Sequence, residues 1–302
     1  MTVSLLHPLE LSVSRRVTGL APAEHRIVVL PGGFKMNVLA INPGAPAAVL
    51  FLHGVGGSPD LLRHPLSSLA RKHNVTIYAP YLPCHGSSDD VDSFPELLDV
   101  MGQTAEQLGL QNSVFIGHSL GAHIVMRLAE SRPDLISAGV ALAMPTKIHT
   151  AGARFFATMP ALGLDALVTS NIAFLGSLFT GNPFELASAF VDAGFRVANG
   201  KTIFDVLKGA SDLRDVMPQV DQPFTLVYGG LDSVVRPIKF KLGANFKQVV
   251  LHGMPHNFLW LPPTVIPTVS AALAEALGVV RSQPLAQVIH LPVRPLSVAL
   301  SS

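Results

Sequence analysis

The short apolar run Ser113–Ile116 passes without a linker into Gly117-His118-Ser119-Leu120-Gly121 and on into helical apolar spacing from Ala122 to Ser131, where Pro133 ends it. A strand can turn straight into a helix over so few residues only through a very cramped bend. Glycines two residues either side of the serine remove Cβ atoms that would collide with neighbouring chain. Such a bend leaves the Ser119 hydroxyl projecting from the edge of a sheet. It also places the unpaired N–H groups and positive dipole end of the following helix beside it. The pattern G-x-S-x-G alone is weak; framed by a strand and a helix it is strong, and it demands a β/α layered fold.

The rest of the chain supplies the alternation. Arg26–Leu30 and Lys35–Ile41, separated by Pro31-Gly32-Gly33, read as an opening hairpin. Ala47–Leu52 is an unbroken apolar run of the kind that suits a strand buried on both faces of a parallel sheet. A helix over Asp60–His73, a strand over Val75–Ala79, a helix over Phe94–Leu108 and a strand over Ile136–Leu142 follow. Alternation stops between Pro145 and Val216. It resumes with a strand at Phe224–Tyr228, a helix near Pro237–Leu242, a strand at Gln248–Leu251 and a helix over Thr264–Leu277. The expected architecture is a mostly parallel, doubly wound α/β sheet. Its core comprises residues 1–144 and 217–280, with a helical cap insertion over 145–216 and a tail over 281–302 that has no assigned structure.

Three further segments join Ser119. His53-Gly54-Val55-Gly56-Gly57 follows the strand Ala47–Leu52. Asp232 follows the strand Phe224–Tyr228 through Gly229 and Gly230. His256 follows the strand Gln248–Leu251, three residues after Gly253. In this order, each after its own strand, these segments resemble the α/β-hydrolase superfamily from about Arg26 to Leu277, the insertion excepted. The resemblance implies a serine esterase or lipase-like enzyme in which Ser119 is the nucleophile, His256 the general base and Asp232 the carboxylate that fixes the base's tautomer. An imidazole that titrates near neutrality suits that task. His252, at a strand end, is expected to be packed or hydrogen-bonded. Asp215 and Asp221 precede the strand and so lie at its wrong end. The resemblance further implies an oxyanion hole made by the backbone amides of Val55 and Leu120. Pro80–Ser88 is similar to the family's D-x-P-G-H-G-x-S loop, but Cys84 stands where glycine is usual, and Pro80 or Tyr81 where aspartate is. His85 is therefore expected to bond locally. No metal site is expected, because the spacings of His53, Cys84, His85 and His118 match no zinc motif, and no cofactor is expected.

The insertion is apolar in its first half, with Phe155, Phe156, Met159, Leu162 and Phe174 among its residues. Such a cap would cover the serine, exclude water and shape an apolar pocket. The expected substrate contacts are His53, Gly54, His118, Phe155, Phe156 and Phe174. The expected substrate is a small apolar ester, thioester or lactone, with weak lipid contact through the cap as a further possibility. A C–C bond hydrolase with the same triad, or a binder that keeps the fold, are the alternatives. Haloalkane dehalogenases and epoxide hydrolases are disfavoured, since by resemblance they carry aspartate where this chain has Ser119.

Composition narrows the field from the other side. The chain has 302 residues, 49% hydrophobic and 14% charged, with 21 Lys and Arg against 20 Asp and Glu. No basic run marks a nucleic-acid partner. One cysteine, Cys84, rules out an intrachain disulfide framework. The first residues, MTVSLLHPLELSVSRR, lack the basic start and apolar stretch of a secretory signal, and the expected location is cytoplasmic.

Overall fold

Eight strands form one sheet in the computed structural model, which describes residues 20–55, 57–148, 206–232, 234–256, 259 and 262–282. In chain order they are β1 (Ala23–Val29), β2 (Lys35–Ile41), β3 (Ala47–Leu52), β4 (Val75–Pro80), β5 (Ser113–His118), β6 (Ile136–Leu142), β7 (Phe224–Gly229) and β8 (Phe246–Leu251). Their spatial order is β1-β2-β4-β3-β5-β6-β7-β8. The opening hairpin is antiparallel, and β2 also runs antiparallel to β4. All later pairings are parallel. This is the α/β-hydrolase fold.

Among the described residues four α-helices cover the sheet: α1 (Arg63–His73), α2 (Phe94–Gln107), α3 (Leu120–Ser131) and α4 (Pro262–Ser282). On one face α2 and α3 pack with Leu50, Leu52, Phe115, Phe224 and Tyr228. On the other, α1 and α4 pack with Val49, Phe51, Ile116, Val140 and Val227. Successive residues of a strand therefore serve opposite cores, which is why β6 and β7 are buried at every position. Burying a Leu- or Phe-sized side chain contributes about 1.5–3 kcal/mol, so these central strands are held far more firmly than the exposed edge strand β1.

Several expectations change in detail. The first helix splits, with a 3₁₀ turn at Asp60–Leu62 ahead of α1. The helix after Ser119 starts at once, at Leu120, and the last helix runs on to Ser282. Residues 237–242 are not helical. There the side chain of Gln248 accepts from the Ile238 N–H at 3.0 Å and donates to the Ile238 carbonyl at 3.3 Å. It satisfies the backbone groups a helix would need, and Pro237 has no N–H to offer one. The far end of the expected insertion is joined to the core. Val206, Leu207, Leu213 and Val216 are buried in the same cluster as α2 and α3, and Leu213 donates to the Thr146 carbonyl at 2.7 Å. Phe155, Phe156 and Phe174 lie outside the described residues.

Candidate active site

The turn after β5 is as cramped as the sequence requires. Ser119 has φ 53° and ψ −117°, in the positive-φ region that non-glycine residues avoid. Its carbonyl accepts from the N–H of Ala122 and of His123, and its own N–H donates to Leu142 on the adjacent strand. The bend is thus pinned to both its helix and the sheet. Gly121 allows the closest approach: a Cβ there would lie 2.1 Å from the Leu52 carbonyl oxygen. The end of β3, and with it the loop from His53, is therefore pressed against the Ser119 turn. A Cβ on Gly54 would stand 3.1 Å from that of Ser119. Val55 follows in this loop. Leu120 opens α3, where amides have no acceptor one turn back.

Asp232 and His256 are brought together by two loops that clasp each other. Gly230 donates to Leu251 at 2.8 Å and Leu231 to Met254 at 3.0 Å. Gly229 makes this possible, since a Cβ there would fall 2.3 Å from the Met254 carbonyl oxygen. Asp232 is buried. Its Oδ1 accepts the N–H groups of Val234 and Val235 at 2.8 and 2.7 Å, and its Oδ2 lies 2.8 Å from His256 Nδ1. Burial alone would raise this carboxyl, but the hydrogen bond and charge of His256, with the two amides, outweigh it and hold the group below its ordinary range.

An ionised carboxylate can only accept, so His256 Nδ1 carries the proton and Nε2 presents a lone pair. Nε2 lies 3.0 Å from Ser119 Oγ. The structure therefore joins the three residues read from sequence in one relay: hydroxyl, imidazole, carboxylate.

Two expected ligand contacts make hydrogen bonds within the protein. His53 is fully buried, with Nδ1 donating to the Gly54 carbonyl at 2.7 Å and Nε2 accepting the Leu82 N–H at 3.0 Å. With both nitrogens engaged it cannot meet a substrate; it ties the loop after β3 to the loop after β4. His118 is buried too. Its Nε2 donates to the backbone carbonyl of His256 at 3.1 Å, and the rings lie 5.2 Å apart. Burial, and then the neighbouring His256, push His118 down to about 3, and burial does the same for His53. Both imidazoles are therefore held neutral near pH 7. No pattern in the sequence distinguished a prop from a contact here, because both sit beside the reactive residues. His85 bonds locally through Nδ1 to Pro83. Cys84 adopts φ 64°, so the conformation that favours glycine is kept without the glycine. His252 is exposed in the turn after β8, not packed. Among the described residues no group of three metal-binding side chains gathers, and no helix is long and apolar enough to cross a membrane.

Residues 49–266 match the model of the alpha/beta hydrolase family. A putative non-heme haloperoxidase of Mycobacterium phage D29 is 30% identical over 122 residues, 39% of this chain and 43% of that protein. The sn-1-specific diacylglycerol lipase ABHD11 of Xenopus laevis is 29% identical over 116 residues, 37% of each chain. The matched segments thus span less than half the length of these curated relatives. The solved enol-lactonase of Burkholderia xenovorans LB400 superposes with a TM-score of 0.63 at 16% identity, covering 82% of this chain and 100% of that one, which is a likeness of fold.

Proposed function

The chain belongs to the alpha/beta hydrolase family, and from that premise we propose that it is a serine hydrolase cleaving a carboxylic ester, thioester or lactone with an apolar part. The observation that supports this most is the relay of 3.0 Å from Ser119 Oγ to His256 Nε2 and 2.8 Å from His256 Nδ1 to Asp232. In this reading Nε2 takes the hydroxyl proton as Oγ bonds to the acyl carbon. The carbonyl electron pair moves to oxygen, where the amides of Val55 and Leu120 receive it. Collapse expels the alkoxide or thiolate, which leaves with the proton from His256. A water molecule then repeats the sequence on the acyl-enzyme, with the same imidazole as base and then acid.

An apolar substrate is supported by the rim of the site. Val55, Leu231 and Val234 are 40%, 70% and 53% exposed on loops that carry the oxyanion amide or follow β7. These are exposed apolar side chains on the loops that carry Asp232 and the proposed Val55 amide, and they suit an apolar ligand.

A fluorophosphonate probe tests the nucleophile. It should label the protein at Ser119 and fail to label Ser119→Ala. A chain-length series of p-nitrophenyl esters tests the pocket, and a sharp preference for acetate would overturn the apolar reading. Simple esters left untouched while vinylogous diketones are cleaved would replace ester hydrolysis with C–C hydrolysis.

A further inference from the structure

A second feature opens from the residues that hold Asp232. Val234 and Val235, whose amides grip its carboxylate, also line a cavity of about 410 Å³. Its walls come from the segment after β6 (Pro145, Thr146, Lys147), from Asp212 and Arg214, and from the extended stretch Val234–Phe240. The size suits part of a small-molecule ligand.

The charge of this lining is lopsided. It holds four cations, Lys147, Arg214, Arg236 and Lys239, and one carboxylate, Asp212. Arg214 absorbs that carboxylate, with Nε at 3.0 Å and Nη2 at 2.7 Å. Lys147 is within Coulombic reach of Asp212 but makes no ion pair with it. Among the described residues Arg236 and Lys239 make no ion pair at all. In a chain with 21 cationic and 20 acidic residues, three cations left over on one cavity are a local excess. The backbone keeps them together. Pro237 and the two bonds from Gln248 to Ile238 hold the stretch extended, so that Ile238 is buried while Arg236 and Lys239 stand exposed. Val234, Val235, Ile238 and Phe240 supply apolar surface between the charges.

We propose that this cavity binds an anionic group, a phosphate or a carboxylate, carried by the substrate away from the bond that is cleaved. The proposal rests on the ester-hydrolase reading and gives it a substrate class: an amphiphile whose acyl carbon reaches Ser119 while its charged end meets Lys147, Arg236 and Lys239. The cavity and the relay share one loop, because Val234 and Val235 line the cavity while their amides hold the Asp232 carboxylate. Arginine favours such a ligand through its paired N–H donors, and lysine through its point charge.

Two measurements decide it. In the first, inorganic pyrophosphate is titrated by calorimetry into the Ser119→Ala protein, where no turnover interferes. Binding should weaken with added salt. It should fall about tenfold for each charge removed in Arg236→Gln and Lys239→Gln. In the second, p-nitrophenyl hexanoate is compared with its analogues bearing a terminal carboxylate or phosphonate. At least one anionic ester should show a kcat/KM at least about tenfold above the neutral one, and Arg236→Gln/Lys239→Gln should erase that advantage while sparing the neutral ester. Which analogue gains separates a carboxylate from a phosphate ligand. Absence of pyrophosphate binding, binding untouched by the substitutions, or no advantage for either anionic ester where the neutral one is hydrolysed would each overturn the proposal. Failure to hydrolyse any ester would remove the ester reading instead, and the titration would still decide the cavity.

Discussion

His118 sits one residue before Ser119, and its side chain holds the backbone of His256, so it couples the first two members of the relay. Removing it should let the His256 loop drift. A displacement of about 1 Å can lower a rate about 10²-fold. His118→Ala should therefore reduce kcat by roughly that factor with little change in KM, as read from p-nitrophenyl ester kinetics. His118→Gln, which keeps an N–H donor, should recover part of the loss; equal loss in both variants would make the residue a mere space-filler. The relay members themselves should behave as one unit. Ser119→Ala and His256→Ala should each lower kcat by about 10⁴–10⁶ with the fold intact, and the double variant should be no worse than either single one. Losses that add would mean the two residues act in separate steps.

Between elements, the contact that matters most for the site is β3 against the start of α3. In an ordinary exposed helix, replacing glycine by alanine gains up to about 1 kcal/mol. At Gly121 the sign should reverse, because the added Cβ would stand 2.1 Å from the Leu52 carbonyl oxygen and 2.7 Å from that of His53. Backbone atoms on both sides would have to move. Gly121→Ala should destabilise the protein by about 1–3 kcal/mol and slow fluorophosphonate labelling, since the displaced strand carries the Val55 loop. Chemical unfolding and labelling rates measure the two effects; a variant of unchanged stability would contradict the packing. This contact was foreshadowed by the G-x-S-x-G spacing. The clasp of the Gly229–Leu231 and Leu251–Met254 loops was not, because it depends on hydrogen bonds between segments that local pattern leaves independent. The expected helix at 237–242 failed for the same reason. Its backbone groups are claimed by Gln248, from the next strand.

At the scale of the whole molecule, four imidazoles among the described residues are buried in neutral form. Burial lowers His53 and His118 to about 3, His123 to about 4, and His85 below the ordinary value. In the unfolded chain each would titrate near 6.5. Below that pH the unfolded state binds protons that the folded state refuses, so stability rises with pH across the window from about 3–4 up to 6.5 and is lost as pH falls through it. Each imidazole adds up to about 1.4 kcal/mol per pH unit to that slope. Urea unfolding at pH 7.5, 6.5, 5.5 and 4.5 should show stability falling from near pH 6.5. His123→Gln, which keeps a donor for the Pro145 carbonyl that His123 meets at 3.0 Å, should lower the slope by one proton. A flat profile would mean the folded protein takes up those protons.

The sequence by itself determined the layered α/β fold, the strand that precedes each member of the relay, and the identity and order of Ser119, Asp232 and His256. The fold and the strands follow from periodicity and turn chemistry, which are local, and the three residues from the resemblance that their ordered segments bear to the α/β-hydrolase superfamily. Tertiary structure alone decided which histidines face the site and which stand behind it, and how far the core reaches into the end of the insertion. It also decided the gathering of Lys147, Arg236 and Lys239 on one cavity. Each of these depends on distances between segments far apart in the chain, and burial, which sets the charge and the role of an imidazole, is fixed only when those segments meet.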